Sequence, residues 1–382
     1  MMPPDDDPDD LPLAGVRVLD LSRILAGPWC AMVLGDFGAE VIKVEHPERG
    51  DDTRDWGLRT GATNTSYFDA VNRNKQAIAL DLATAEGLAQ VKRLACDVDI
   101  VVHNFKVGGA RKLGVEFEAL RAENPRLIYC SISGYGSQTS EAARPGYDLL
   151  VQGEAGLMAL NGEADQPPLK FGVAVVDLFT GQHAVQAILA ALYRRERTGR
   201  GGQIDVAPYD SGVSLTSYYG LKALVSGQDP PRYGNAHPSV VPYGVFEASD
   251  GPLVITVGNN AQFRRFCTQV IERADLAADP RFAVSLERAR NRAVLLPQIK
   301  AELARRSRAD LLAKLCDAGI PAGEVLGLHE ALTSQRTREA GLVERRADDE
   351  SERWVFAPPY RLDGRRLPVR HLPPALPKKS SV

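Results

Sequence analysis

Apolar stretches of strand length alternate with stretches of helical periodicity through the first half of the chain, and this alternation limits the fold more than any other feature. Residues 16–21 (Val-Arg-Val-Leu-Asp-Leu) read as a strand, residues 28–37 as a helix opened by a proline, and residues 40–45 (Glu-Val-Ile-Lys-Val-Glu) as the next strand. A second round runs from a strand over 77–82 through a helix over 84–95 to a strand over 99–103. A helix over 117–123 then precedes a strand over 127–131. Such a chain builds an α/β fold, a doubly wound sheet with right-handed crossovers. Its ligands bind beyond the carboxyl ends of the strands. Here that means the loops 22–27, 103–109 and Ser133-Gly134-Tyr135-Gly136.

The texture changes near residue 227. Residues 228–242 are proline-rich, and residues 243–247 and 253–257 form a hairpin about Ser249-Asp250-Gly251. Helices follow over 262–274 and 295–318. The expected organisation is an acidic disordered tail over 1–10, a large domain over 11–227 and a small α+β domain over 228–328. The chain then returns to the large domain over 329–372 and ends in a frayed tail over 373–382. A chain of 382 residues with 44% hydrophobic content can fill two such cores.

Several function classes are disfavoured. A net charge of −3 gives no reason to expect nucleic acid, and no apolar run approaches the ~20 residues of a membrane span. The five cysteines are scattered and lack metal-ligand spacing. The acidic, proline-rich start is unlike a secretory or transit peptide. A reduced, cytoplasmic protein without metal, nucleic-acid or membrane partners is expected. Phosphate-binding Gly-x4-Gly-Lys and Gly-x-Gly-x-x-Gly patterns and the Gly-x-Ser-x-Gly elbow are absent, which argues against an ATPase, a conventional dinucleotide enzyme and a serine hydrolase. Basic residues do gather near strand ends: His46, Arg73, Lys75, Lys106, Arg111 and Lys112 are candidates for the phosphates of a nucleotide-like ligand, or a solvated face.

The segment Val175-Val176-Asp177-Leu178-Phe179-Thr180-Gly181 closes an apolar run with one carboxylate and opens a helix, with Leu178, Val185, Ile188, Leu189 and Leu192 at helical spacing. Asp177 falls where an N-cap belongs. It is either a cap alone or, with open backbone at Gly172 and Gly181 around it, a nucleophile; the spacing does not choose.

The motifs, taken in order, resemble those of the class III CoA-transferases, a family that includes formyl-CoA transferase, carnitine CoA-transferase and α-methylacyl-CoA racemase. They are Pro12-Leu13-Ala14-Gly15-Val16-Arg17-Val18-Leu19-Asp20, Ala26-Gly27-Pro28, Gly38-Ala39-Glu40-Val41-Ile42-Lys43-Val44-Glu45, Gly50-Asp51-Asp52-Thr53-Arg54, Asn72-Arg73-Asn74-Lys75, His103-Asn104-Phe105, Ser133-Gly134-Tyr135-Gly136, Gly146-Tyr147-Asp148, Asp177 with its helix, Thr198-Gly199-Arg200-Gly201 and Ile320-Pro321-Ala322-Gly323. The resemblance covers roughly residues 11–372. It implies a Rossmann-like large domain, a small domain and an interlocked homodimer. It implies coenzyme A and acyl-CoA as substrate, with no tightly bound cofactor, and Asp177 as the catalytic nucleophile. It carries CoA contacts to Leu25, Ala26, His46, Leu80 to Ala83, Asn104, Phe105, Lys106, Lys112 and Ser133 to Gly136, Tyr135 among them. His46 stands where arginine is usual and Ala83 where lysine is, so phosphate contacts are expected to shift to neighbours such as Arg73 or Arg111. The usual Leu-Gly-x-His-Thr segment is missing after Pro374. A mobile substrate loop is expected at Gly234-Asn235-Ala236-His237-Pro238-Ser239.

The resemblance also implies the chemistry: an aspartyl anhydride, then an aspartyl-CoA thioester, then reversal on an incoming acid. The racemase branch pairs its aspartate with histidine in Gly-His-Asp; Tyr147 holds that position here, which removes a proton-transfer base. The stretches 233–243, 257–263 and 50–57 most resemble the succinyl-CoA:glutarate (dicarboxylate) branch. The distal carboxylate of such a substrate needs a cation, with Arg54, Arg73, Lys170 and His237 as candidates. Three readings remain: a dicarboxylate CoA-transferase, an acyl-CoA isomerase or racemase, and a non-catalytic acyl-CoA binder.

Overall fold

The computed structural model describes residues 10–347 and 352–377. The expected acidic tail thus lies outside the described residues except for Asp10, and the expected frayed tail is described only through residue 377. Two compact units divide the chain. The first takes the described residues through Leu157, then Lys170–Ser226, then those from Gln335; the second takes Met158–Leu169 and Gly227–Ser334. The strip Met158–Leu169, which the sequence reading puts in the large domain, groups with the second unit.

The first unit is built on six parallel strands: β1 (Arg17–Asp20), β2 (Glu40–Glu45), β3 (Gln76–Ala79), β4 (Ile100–His103), β5 (Ile128–Ile132) and β6 (Gly202–Val206). Their order is β3-β2-β1-β4-β5-β6, a doubly wound arrangement whose direction of travel reverses between β1 and β4. The strands read as nearly continuous apolar runs because both faces are covered. Val18, Ile100, Val102, Ile128 and Cys130 point to one face, against α1 (Ala26–Asp36). Leu19, Val101, Leu127 and Tyr129 alternate to the other, against α2 (Ala85–Asp97) and α3 (Phe117–Glu123). Two further helices complete the unit's active end, α4 (Asp148–Glu154) and α5 (Val175–Thr198).

α5 corrects the reading that nothing here could span a membrane, since its 24 residues suffice by length and composition. Its Ala184, Val185, Ile188 and Leu192 instead pack in the core beside β5 and α1. The helix ends on Gly199 at φ 71°, whose N–H donates to Arg195 O. The glycines after it hide a strand the sequence reading missed. β6 (Gly-Gln-Ile-Asp-Val) lacks a β-branched run, and a Cβ on Gly201 would sit 2.0 Å from Leu127 O. Those glycines let an edge strand lie close along β5 as well as stop the helix.

The second unit is an antiparallel sheet of β7 (Tyr243–Ala248), β8 (Gly251–Thr256) and β9 (Ala322–Glu324) packed against helices. β9 falls within the Ile320-Pro321-Ala322-Gly323 motif and was not expected as a strand. The single helix expected over 295–318 is two, Arg292–Leu303 and Arg308–Asp317. Ser307 caps the second by accepting from the Asp310 N–H, a Ser-x-x-Asp start signal inside an apparently continuous pattern.

Candidate active site

The loop after β1 lies at the point where the strand order reverses. Ile24 holds φ +75°, a left-handed conformation that a β-branched side chain adopts only under constraint. The constraints are visible. The Ile24 N–H donates to both oxygens of Asp51 at 3.3 Å, and Lys43 Nζ donates to Ser22 O at 3.0 Å and to Asp51 Oδ2 at 2.9 Å. The Ser22 hydroxyl donates to Asp20 Oδ1. Arg23 is tied to Asn104 twice, through its N–H to Oδ1 and its O from Nδ2. Burial alone would raise the Asp51 carboxyl, but Lys43 and the Thr53 donors hold it down at about 2. The motif Gly50-Asp51-Asp52-Thr53-Arg54 is therefore a brace for the loop.

A second helix start arrives from the other side. A Cβ on Gly181 would lie 2.6 Å from Ala26 O and 2.9 Å from Trp29 Cδ1, so only glycine lets α5 cross α1 this closely. Because Gly181 follows Asp177 by one helical turn, the crossing brings the first turn of α5 to the first turn of α1. A similar contact builds the facing wall: a Cβ on Gly134 would stand 2.5 Å from Gly146 N, so the Ser133-Gly134 and Gly146-Tyr147 loops touch backbone to backbone.

Asp177 is not the cap expected of it. α5 begins at Val175 after Ala174, whose side chain offers no acceptor, and Asp177 occupies the third helical position. The capping acceptor is Asp148, at the start of α4: its Oδ1 accepts from the Val176 N–H at 2.9 Å and the Asp177 N–H at 3.4 Å. Desolvation, and next the Asp148 charge, push the Asp177 carboxyl up to about 7.

Two cavities adjoin here. The first, about 320 Å³, is lined by Leu25, Ala26, Asn104, Lys106, Ser133 and Asp177, among others, with Arg144 on its wall. The second, about 300 Å³, is lined by His46, Arg49, Leu80, Leu82 and Ala83 with others. Arg23 and Phe105 line both. The Phe105 ring stacks 5.0 Å from His103, whose Nδ1 accepts the Phe105 N–H. Burial pulls His103 down to about 4, so it is a neutral prop. The buried Ser133 hydroxyl, on the wall of the first cavity, has no partner among the described residues.

Of the residues singled out from sequence, the fold gathers Asp177, Leu25, Ala26, Asn104, Phe105 and Lys106 in the first cavity and His46, Leu80 and Phe105 in the second. Lys112 is exposed on the short helix Gly109–Leu113, whose Leu113 lines the second cavity. Tyr135 lies behind the wall, its hydroxyl donating to Glu154 at 2.7 Å under the Arg144 guanidinium. Arg73 must be corrected. It is buried and grips Asp36 with two hydrogen bonds, at 2.9 and 2.5 Å, and lines neither cavity. Lys75 is likewise buried, donating to Asp20, Pro28 O and Asn72, and burial brings it down to about 8. Arg111 pairs with Glu116 at 2.7 Å. A basic residue near a strand end carries no mark of burial, so charge counting cannot separate these from phosphate ligands.

Gly234, Asn235, Ala236 and His237 belong to the second unit. There the Gly234 N–H donates to Gly162 O at 3.1 Å, and Arg232 donates to Glu163 O at 3.0 Å, which explains why Met158–Leu169 groups with this unit. His237 Nδ1 accepts from the Ser239 and Val240 N–H groups of its own loop. Arg54 is bound bidentately to Glu45, at 2.7 and 2.6 Å. Among the four cations considered for a distal carboxylate, Arg54 and Arg73 are thus committed elsewhere and His237 Nδ1 is engaged by its own loop, while Lys170 is exposed, as is Lys106. The sequence reading missed Arg144 as part of the site and named His103 only within its loop and motif, with no role. Arg144 sits two residues before the Gly146-Tyr147-Asp148 motif, the one signal that points to it.

Comparison with known proteins identifies the family. The chain matches CoA-transferase family III over residues 13–379 and belongs to that family. It is an enzyme that transfers CoA. It is 42% identical to the succinate–glutarate CoA-transferase of Agrobacterium fabrum, over 92% of this chain and 88% of that one. It is 40% identical to the succinyl-CoA:glutarate CoA-transferase of Mus musculus, over 89% and 78%. Among solved structures, a CAIB/BAIF family protein from Brucella suis superposes with a TM-score of 0.85 at 41% identity, covering 95% of this chain and 96% of that one.

Proposed function

We propose that the enzyme moves CoA from succinyl-CoA to a four- to six-carbon dicarboxylate such as glutarate, with Asp177 as the nucleophile. The observation that carries the reading is a desolvated carboxylate, raised to about 7, on the wall of a cavity at the meeting of two helix starts. An Asp177 oxygen attacks the thioester carbonyl carbon. The carbon–sulfur bond breaks and the electron pair leaves on sulfur, giving a mixed anhydride and the CoA thiolate. The thiolate attacks the aspartyl carbonyl and expels the donor's acid, leaving an aspartyl-CoA thioester. The acceptor carboxylate then repeats both steps in reverse order, so no ATP is consumed. Backbone N–H groups at the α1 start and the unpartnered Ser133 hydroxyl are suited to the oxyanions. Phe105, between the two cavities, divides the pantetheine arm from the nucleotide, with His46 and Leu80 beside the latter.

The names of the relatives support the dicarboxylate choice. Lys106, exposed like Lys170 but on the wall of the Asp177 cavity and with no ion-pair partner among the described residues, is the cation best suited to a substrate's negative end. Racemisation is disfavoured by Tyr147, since a phenol is a poor proton acceptor near neutral pH. A homodimer is supported by Tyr218, Leu221, Leu224 and Val225, which are 64–83% exposed on one helix. The scattered free cysteines suit a cytoplasmic location.

The test is a panel of free acids against succinyl-CoA with the purified protein. A monocarboxylate leaves the Lys106 ammonium without its ion pair, and for an exposed cation such a pair contributes up to about 1 kcal/mol, so monocarboxylates should show kcat/KM about 5-fold below glutarate. Formate, oxalate or carnitine outperforming every four- to six-carbon dicarboxylate would overturn the choice of substrate.

A further inference from the structure

We propose that Asp148 is a positioning residue for CoA transfer, holding the first turn of α5 from a neighbouring helix and fixing the orientation and charge environment of Asp177. The inference rests on the reading of Asp177 as nucleophile.

The first turn of a helix leaves backbone N–H groups without intrahelical partners. In α5 the residue before the helix is Ala174, which supplies no side-chain acceptor. Asp148 Oδ1 takes the Val176 and Asp177 N–H groups instead, reaching 28 and 29 residues along the chain. Its other oxygen, Oδ2, accepts from Gln152 Nε2 at 2.6 Å. Gln152 is buried and its Oε1 accepts the Phe171 N–H at 2.8 Å, so the amide orientation is set by the backbone leading into α5. Both Asp148 oxygens therefore have assigned donors. The carboxylate has one available pose, and the backbone of Asp177 is hydrogen-bonded to it.

This cap differs from a serine or threonine cap in carrying a charge. The groups around Asp177 are Asp148 from α4 and Tyr67 from the helix Ser66–Ala70; Arg23, Lys106 and Arg144 line the same cavity. Of these, only Asp148 adds negative charge beside Asp177 at neutral pH. The repulsion has a direction in the reaction. Forming the anhydride moves the negative charge from Asp177 to the departing sulfur, and the anhydride and thioester on Asp177 are both neutral. Each covalent state relieves the Asp148–Asp177 repulsion, so Asp148 favours acylation of Asp177 as well as orienting it.

Asp148→Asn keeps an acceptor oxygen for the two N–H groups and removes the charge; its Nδ2 faces the Gln152 Nε2 donor, a lost hydrogen bond that lowers the rate at every pH and does not move the acid limb. The acid limb of the kcat/KM profile for CoA transfer should move to lower pH by about one pH unit. The fraction of enzyme trapped as aspartyl-CoA at equilibrium should fall several-fold. Substrate titrations are common to both enzymes and cancel in the comparison. A cap with no electrostatic role would lower the rate at every pH and leave the limb in place, and that result overturns the proposal. Gln152→Leu supplies the second variant: it frees Oδ2 but retains the charge, so kcat should fall several-fold with KM for acyl-CoA and the acid limb unchanged. Wild-type kcat in Gln152→Leu would remove the positioning role. The inactivity of Asp177→Ala is tested alongside. If that variant stays active the nucleophile reading fails; if it is dead while Asp148→Asn leaves the limb unmoved, only the present inference fails.

Discussion

The elevated carboxyl of Asp177 implies that the enzyme is less stable for having its nucleophile, by an amount that can be worked out. An aspartate near 3.8 when unfolded and about 7 when folded binds its proton more tightly in the native state. Stability from this group is therefore intact below pH ~4 and is lost as pH rises toward 7. Three units at 1.36 kcal/mol each set an upper bound of about 4 kcal/mol. The start of α5 offsets part of it, because a helix N-terminus favours an anion by up to about 1 kcal/mol, and Asp177 is only partly buried. Asp177→Asn removes the titration and little volume. Between pH 5 and pH 8 the stability of the variant relative to wild type should grow by about 1–3 kcal/mol, read from urea unfolding of the pair at both pH values. All other groups titrate alike in the two proteins and cancel. A difference that stays the same at both pH values would refute the argument that burial and Asp148 raise this carboxyl.

Three further outcomes follow from particular contacts. Arg73→Met leaves Asp36 buried without its bidentate partner, so it should destabilise the fold by about 3–5 kcal/mol while the KM for acyl-CoA of the folded fraction stays at the wild-type value; denaturation and steady-state kinetics check both. Gly181→Ala drives a methyl into Ala26 O and Trp29, so it should cost about 1–3 kcal/mol and lower kcat by displacing Asp177, measured by thermal unfolding and turnover. Lys106→Ala should raise KM for acyl-CoA or for the acceptor acid by about 5-fold with the unfolding midpoint unchanged, since its side chain is exposed and no hydrogen bond or ion pair of it holds the fold among the described residues.

The parallel sheet was legible because its strands are apolar on both faces and separated by helices of clear periodicity, one of them opened by a recognisable cap: Thr84 accepts from the Gly87 N–H at the start of α2. Asp177 was legible as a singular carboxylate but misplaced as a cap, because the true cap comes from Asp148, and local periodicity contains no information on a partner 29 residues away. β6 and β9 were missed since short strands rich in glycine and charge look like turns. Arg73 and Lys75, in the Asn72-Arg73-Asn74-Lys75 motif, were candidates for phosphates or a solvated face and are neither, because sequence shows charge and not burial. Asn74 and Arg73 hold Asp36, and Asn72 and Lys75 hold the end of β1 and the start of α1. Within the stretch 257–263, which resembles the dicarboxylate branch, Asn259 and Asn260 have local tasks in the second unit: Asn259 caps a helix and Asn260 accepts from the buried Arg288.

Covalent trapping tests the central claim most directly. The enzyme is incubated with succinyl-CoA, quenched with hydroxylamine, digested and analysed by peptide mass spectrometry. The account predicts a hydroxamate on Asp177 and on no other carboxylate, absent when acyl-CoA is omitted. A hydroxamate on Asp148, or full CoA exchange with Asp177 unmodified under every trapping condition, would contradict it.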